Sequence, residues 1–216
     1  MARDDPLITM MKIAPKGDLT VDLQTYEDMI PQPPAHQPQR RLLSTTKFLV
    51  EKSVLVECQT ASAKHTNIFR AMLTGHFKEA HRTEISLEDD SPPALTVFFR
   101  VLHHIDVKET FSMKHTDMWS LVQICDKYNV STEPFEAWFE KWYMAQGDTM
   151  NVMNKREMLY PCWKFNYALG FMNATKDCVM NLGGHITERN PTKHYELHLP
   201  QRIIRKRFVV RMLLEC

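Results

Sequence analysis

Glycine is scarce in this chain, six in 216 residues, and none of the glycine-based catalytic or phosphate-binding signatures occurs. There is no GxGxxG, no GxxxxGK[ST] and no GxSxG, so a dinucleotide fold, a phosphate loop and a nucleophile elbow have no motif to rest on. Charge of one sign is also lacking: 27 Lys and Arg balance 26 Asp and Glu for a formal charge of +1. That balance gives no global case for nucleic acid or an acidic membrane surface. No uncharged apolar run approaches the roughly 20 residues needed to span a bilayer. The opening residues Met1-Ala2-Arg3-Asp4-Asp5 lack the basic-then-apolar layout of a secretory signal. The five cysteines, Cys58, Cys125, Cys162, Cys178 and Cys216, are odd in number, widely separated and never in CxxC spacing. Neither a zinc ribbon nor a disulfide framework is suggested, and reduced thiols in the cytosol or nucleus are the economical expectation. No membrane association, metal or cofactor is expected.

What is present is a globular composition, 44% hydrophobic and 10% aromatic, enough to build a core. Residues 1–16 show no sustained period and read as a loose arm. Leu19 to Gln24 alternates apolar and polar in the manner of a strand. Pro31 to Gln39 holds four prolines and reads as a loop joining this strand to a second one, Leu42 to Val50. Two short helices follow. The first covers Ser53 to Cys58. The second has Thr66 as its cap, Phe69, Met72 and Leu73 facing inward, and Gly75 as its stop.

Thr83 to Glu88 alternates again, with Ile85 and Leu87 inward, giving a third strand. Ser91-Pro92-Pro93 is a strong helix start. Leu95, Phe98, Phe99 and Leu102 then share one face, as do Met118, Leu121, Val122, Cys125 and Tyr128, and Phe135, Trp138, Phe139 and Trp142. After a break at Gln146-Gly147-Asp148, a helix opening at Pro161 should carry Cys162, Phe165, Leu169 and Met172 inward. Ala174 to Leu182 should form another, and Arg202 to Leu214 a last basic helix. The class is α+β, with a small three-stranded sheet covered by helices. The expected organisation is an arm over 1–16, a domain over 17–145 and a helical extension over 146–216.

Five segments together resemble the BTB/POZ domain family. Lys47-Phe48-Leu49-Val50-Glu51-Lys52-Ser53-Val54-Leu55 is similar to the family's entry into its first helix. Ile68-Phe69-Arg70-Ala71-Met72-Leu73-Thr74-Gly75-His76-Phe77-Lys78-Glu79 resembles its "VFRAML…FKE" signature. Ile85-Ser86-Leu87 and the helix after Asp89-Asp90-Ser91-Pro92 sit where the family places its third strand and third helix, and Ile124-Cys125-Asp126-Lys127-Tyr128 resembles "LADKY". Leu159 to Leu182 is similar to the extra helical hairpin of fungal BTB proteins. The resemblance implies a protein–protein interaction module with no catalytic chemistry, and a partner-binding site at Phe77 and Glu79, flanked by Met72 and His76. In BTB adaptors such an apolar-x-glutamate triplet helps dock the cullin scaffold of a ubiquitin ligase.

The chain departs from the family where many members dimerise: the histidine usual before the first helix is replaced around Glu51-Lys52, and the first hairpin carries the proline loop. This sets the expectation of a homodimer against itself. A BTB-like scaffold that self-associates or binds other proteins without a ubiquitin role is the alternative.

The basic cluster Arg202, Arg205, Lys206, Arg207 and Arg211 offers a third reading, a nuclear nucleic-acid-associated protein. Its helical spacing among Ile203, Ile204 and Phe208 favours the solvated face of an amphipathic helix instead. His194 and His198 are four apart, but the intervening glutamate is not placed as in HExxH. A thiol–imidazole couple such as Cys125 with His103 could meet only in the fold, and a buried structural thiol is the commoner case.

Overall fold

The computed structural model describes residues 6–29, 39–62, 64–182, 188–192 and 194–201. The chain divides into two compact units, 1–106 with 123–131, and 107–122 with 132–216. The division therefore falls inside the stretch 17–145 that the sequence suggests as one domain.

The first unit is built on a four-stranded mixed sheet of order β1-β3-β2-β4. Strand β2 (Leu19–Met29) pairs antiparallel with β3 (Gln39–Val50), from Leu19↔Val50 out to Met29↔Gln39. Both strands are longer than their alternation suggested, and Gln39 belongs to β3 rather than to the proline loop. The rest of that loop, residues 30–38, lies outside the described residues. β4 (Glu84–Glu88) adds parallel to β2, with Ile85 and Leu87 buried as their alternation requires.

The fourth strand corrects the expected sheet of three: β1 (Leu7–Lys12), in the stretch read as a loose arm, runs parallel to β3. Its sequence LITMMK has no period of two because every one of its residues except the half-buried Met11 is exposed. Alternation marks a strand only when one face is buried and the other wet.

Helices α1 (Lys52–Glu57), α2 (Ile68–Thr74) and α3 (Pro92–Leu102) complete this unit with residues 123–131, the end of α4 (His115–Lys127) and the turn after it. Ser91 caps α3 by accepting the Ala94 N–H, with proline in the first turn. Phe98 and Phe99 reach full burial beside Phe48, Phe69, Leu19, Leu23 and Leu55. Phe69 stacks on Tyr128 with ring centroids 4.5 Å apart, and the Tyr128 hydroxyl donates to Asp90 at 2.6 Å. Aromatic pairs of this kind contribute about 0.5–1.5 kcal/mol beyond their buried area.

The second unit is helical. α5 (Glu136–Gln146) buries Trp138, Phe139 and Trp142, on the face the spacing predicts, and Tyr143 beside them. Trp138 Nε1 donates to Thr110 Oγ1 at 2.8 Å and Trp142 Nε1 to the Met113 carbonyl at 2.9 Å, so both indoles are satisfied where they are buried. α6 (Val152–Glu157), α7 (Leu159–Lys164) and α8 (Ala168–Asn181) follow.

Here the predicted face is wrong in part. Cys162 and Phe165 are buried, but Leu169 is 49% and Met172 57% exposed. The chain breaks at Asn166, whose φ is 53°, and α8 starts afresh with Gly170, Ala174, Thr175 and Cys178 inward. A helix phase read continuously from Pro161 cannot survive that break. It also makes 168–181 one helix, where a shorter one from Ala174 was expected.

Candidate functional site

The segment from α2 to β4 carries the side chains singled out for partner binding. Asn67, 1% exposed, caps α2: its Oδ1 accepts the Arg70 N–H at 2.6 Å. The expected cap, Thr66, is exposed and takes no part. Phe69 and Leu73 face the core. Met72 is only half-buried, and Ile68, four residues earlier on the same side of the helix, is 41% exposed.

Gly75 ends α2 by donating its N–H to the Ala71 carbonyl at 3.1 Å. A Cβ there would lie 2.4 Å from that same oxygen, so only glycine lets the backbone fold back this closely. After a bend at His76, Phe77 lies on extended backbone, and residues Lys78–His81 make one 3-10 turn. The turn is held at both ends, Ala80 N–H to Phe77 O and Arg82 N–H to Glu79 O, each at 3.1 Å. From the first residue of α1, Lys52 Nζ donates to the Ala80 carbonyl at 2.8 Å.

On this braced turn Phe77 is 59% exposed and stacks on no other ring among the described residues. Burial of that order is incompatible with a ring that caps the core. Glu79, two residues on, is half-buried and its carboxylate makes no ion pair among the described residues. His76 is exposed. The structure thus brings Phe77, Glu79 and His76 into one short turn, with Met72 on the preceding helix. Ile68 is the residue the sequence reading overlooked. Its spacing of four from Met72 was the available signal, masked by assigning Met72 to the inward face with Phe69 and Leu73.

The other candidates separate. Both ring nitrogens of His103 are engaged by backbone: Nε2 accepts the Glu51 N–H at 3.0 Å, and Nδ1 lies 2.8 Å from the Phe99 carbonyl, to which it donates. Burial lowers its pKa, and it has no free nitrogen for Cys125, which is itself fully buried. Burial raises the Cys58 thiol to about 11 and the Cys162 thiol further still, which leaves both as thiols near neutrality.

His194 Nδ1 faces Glu196 at 3.0 Å and His198 Nδ1 faces the Tyr195 carbonyl at 3.1 Å. Among the described residues no three His, Cys, Asp or Glu side chains gather where they could hold a metal ion. Arg202, Arg205, Lys206 and Arg207 lie outside the described residues, as does Cys216. No helix among the described residues is long and apolar enough to cross a membrane.

In the second unit a half-open cleft of about 240 Å³ is lined by Lys114, His115, Gln146, Thr149 and Asn154 among others. It falls below the roughly 300–1,000 Å³ of small-molecule sites. Of its lining residues, His115 places Nε2 3.5 Å from Glu157, whose other oxygen meets Arg189 at 3.3 Å.

Comparison with known families finds no family model that matches the chain, and no curated protein matches it significantly.

Proposed function

We propose that the chain is a protein–protein interaction module of BTB/POZ type that docks a cullin scaffold through the turn at Phe77 and Glu79. One observation carries the reading: an aromatic ring 59% exposed on a turn braced by three hydrogen bonds to its backbone carbonyls. Folding gains little from a ring left in water, whereas a partner pocket gains its whole buried area, and anchors of this type account for about 2 kcal/mol or more of binding.

The brace matters equally. A side chain held in its bound conformation loses less entropy on association than one on a free loop. Glu79 supplies the directional partner, a carboxylate that pairs with no cation among the described residues. Ile68 and Met72 widen the apolar surface on the helix behind it. After β1, the first unit runs β2, β3, α1, α2, β4 and α3, with β4 parallel to β2, an order compatible with the one the resemblance implies.

The test is titration of the purified chain against the N-terminal domain of a cullin from the same organism, by calorimetry with a second binding method alongside. Micromolar or tighter binding is expected, abolished by Phe77→Ala with Glu79→Lys. Because both side chains lie outside the core, the double variant should keep the unfolding midpoint of the parent. No binding by either method overturns the reading, as does a double variant whose loss of binding is matched by a large loss of stability.

A further inference from the structure

We propose that the docking surface around Phe77 selects an acidic partner: positive charge at both ends of α2 draws in a protein surface whose carboxylates surround an apolar pocket. The inference rests on the docking reading above and adds the charge that the partner must carry.

Between Glu57 and Glu84 the chain holds one acid, Glu79, against Lys64, Arg70, Lys78 and Arg82. Four positive charges and one negative leave +3, in a chain whose total is +1, so everything outside this stretch is net acidic. His65, His76 and His81 lie in the same stretch. All of these basic side chains are exposed.

Other cations of the first unit are answered within the fold. Lys47 meets Asp22 at 2.8 Å and Glu84 at 2.7 Å, Lys127 meets Asp90 at 2.9 Å, and Arg40 reaches Asp28, Glu88 and Asp89. Glu84, two residues beyond Arg82, is thus taken by Lys47. Lys64, Arg70, Lys78 and Arg82 have no carboxylate partner among the described residues. Like charges gathered on one surface repel, which costs the folded state.

The charges frame the apolar side chains. Lys64 precedes the cap of α2, Lys78 and Arg82 belong to the turn after it, and Ile68, Met72 and Phe77 come between. With seven residues the helix is about 10 Å long, short enough for both ends to fall inside one standard interface of about 800 Å² per partner. An apolar anchor within a polar rim is how such interfaces are built.

Glu79 favours protein over nucleic acid. It is half-buried in the turn beside Lys78, where a phosphate backbone would be repelled, and Phe77, Ile68 and Met72 would find no pocket on a duplex. A protein surface offers a pocket and hydrogen-bond donors as well as carboxylates. Rim charges steer the encounter and act on association, whereas a buried anchor acts on dissociation.

The experiment is stopped-flow association of the full chain with the N-terminal cullin domain at about 0.01 M and about 0.15 M salt, between which the screening length falls from roughly 30 to 8 Å. The parent should associate about tenfold or more faster at the lower salt, with little change in dissociation. Lys78→Glu should slow low-salt association about fourfold or more, the effect of two units of charge facing one carboxylate at about 10 Å in water.

Arg41→Glu makes the same change at an exposed residue of β3 about 30 Å along the strand from Val50, and should stay within about twofold of the parent. Phe77→Ala should speed dissociation and keep the parent's salt dependence. Each variant is first shown to keep the parent's unfolding midpoint, and the parent's own salt dependence stands whether or not a variant folds.

A parent rate that salt leaves unchanged, or equal slowing by Lys78→Glu and Arg41→Glu, overturns this inference while the docking reading stands. Retention on duplex DNA that survives Phe77→Ala and is lost with Lys78→Glu overturns it too, assigning the charge to nucleic acid. A parent that binds the cullin domain at neither salt overturns both readings.

Discussion

Replacing Asn67 by alanine should cost the first unit about 2–3 kcal/mol, although no charge and no aromatic ring is removed. Asn67 is 1% exposed and uses both ends of its amide. Oδ1 accepts the Arg70 N–H at 2.6 Å, and Nδ2 donates to the carbonyls of Val56 and Cys58, each at 3.1 Å. One residue thus caps the start of α2 and ties it to the end of α1.

Loss of an N-cap costs about 1 kcal/mol, and each orphaned buried carbonyl about another. Arg70 Nε, which already donates to the Val56 carbonyl at 2.9 Å, softens one of these, which brings the sum below three full bonds. Against a domain stability of about 5–15 kcal/mol the change is large.

Asn67→Asp separates the contributions. It keeps the cap acceptor but turns a carboxylate oxygen toward two carbonyls, so at neutral pH it should be no better than alanine. Thr66→Ala, at the exposed neighbour, should stay within about 0.5 kcal/mol.

The assay is urea unfolding followed by far-UV circular dichroism, with amide exchange at Arg70 read alongside. All four tryptophans, Trp119, Trp138, Trp142 and Trp163, belong to the second unit, so indole fluorescence is the wrong reporter. An Asn67→Ala loss under about 1 kcal/mol, or a Thr66→Ala loss as large, would refute the assignment of the cap and of the tie between the helices.

Three further outcomes follow from the geometry. Gly75→Ala should cost about 1–3 kcal/mol, because its Cβ would meet the Ala71 carbonyl at 2.4 Å; any cullin affinity should fall with it, since the turn bearing Phe77 must move, and unchanged affinity in calorimetry would detach that turn from binding. A double-mutant cycle of Trp138→Phe with Thr110→Val, scored by urea titration, should give a coupling of about 0.5–1.5 kcal/mol for the 2.8 Å bond between them; additive losses would mean that the bond contributes nothing beyond burial.

The third concerns pH. Burial holds the His103 pKa below its unfolded value of 6.5, so the unfolded chain takes up this proton first. The contribution is fully present above pH 6.5 and is lost as pH falls through the lower folded value. Protonation would place a second N–H against the Glu51 N–H that Nε2 accepts. The unfolding midpoint of the parent should therefore fall relative to that of His103→Asn as pH drops below 6.5, and parallel curves would show that His103 titrates normally.

The parts of the fold that the sequence revealed are those where one physical signal acts alone. Ile85 and Leu87 alternate because β4 has one buried face. Leu95, Phe98 and Phe99 share a stripe because α3 is long and begins at a capped proline turn. Trp138, Phe139 and Trp142 of α5, with Phe135 just before it, share a stripe in the same way. Failures occur where that signal is absent or interrupted. β1 has no buried face, so its residues carry no alternation to read. α8 lost its predicted face because Asn166 adopts a positive φ that a pattern of apolar residues cannot encode. The capping role passed to Asn67 instead of Thr66 because the choice depends on where the Val56 and Cys58 carbonyls arrive, which is a tertiary fact.

The same division runs through the candidate site. The identity of the triplet Phe77-Lys78-Glu79 was legible in the sequence, but its exposure was not, since an aromatic just after a helix more often finishes the core. What decides exposure is the extended backbone at Gly75, which ends α2 before Phe77 can follow Phe69 and Leu73 inward. Ile68 and Met72 then become the outer side of α2. The surface is therefore a by-product of how the helix stops: if Gly75 sets it, substitutions at 75 and at 77 should act on the same binding event, the first through position and the second through contact. Combining Gly75→Ala with Phe77→Ala should accordingly weaken partner binding no more than Phe77→Ala alone, because a displaced turn has nothing left to misplace. Fully additive losses would place Gly75's influence elsewhere in the unit.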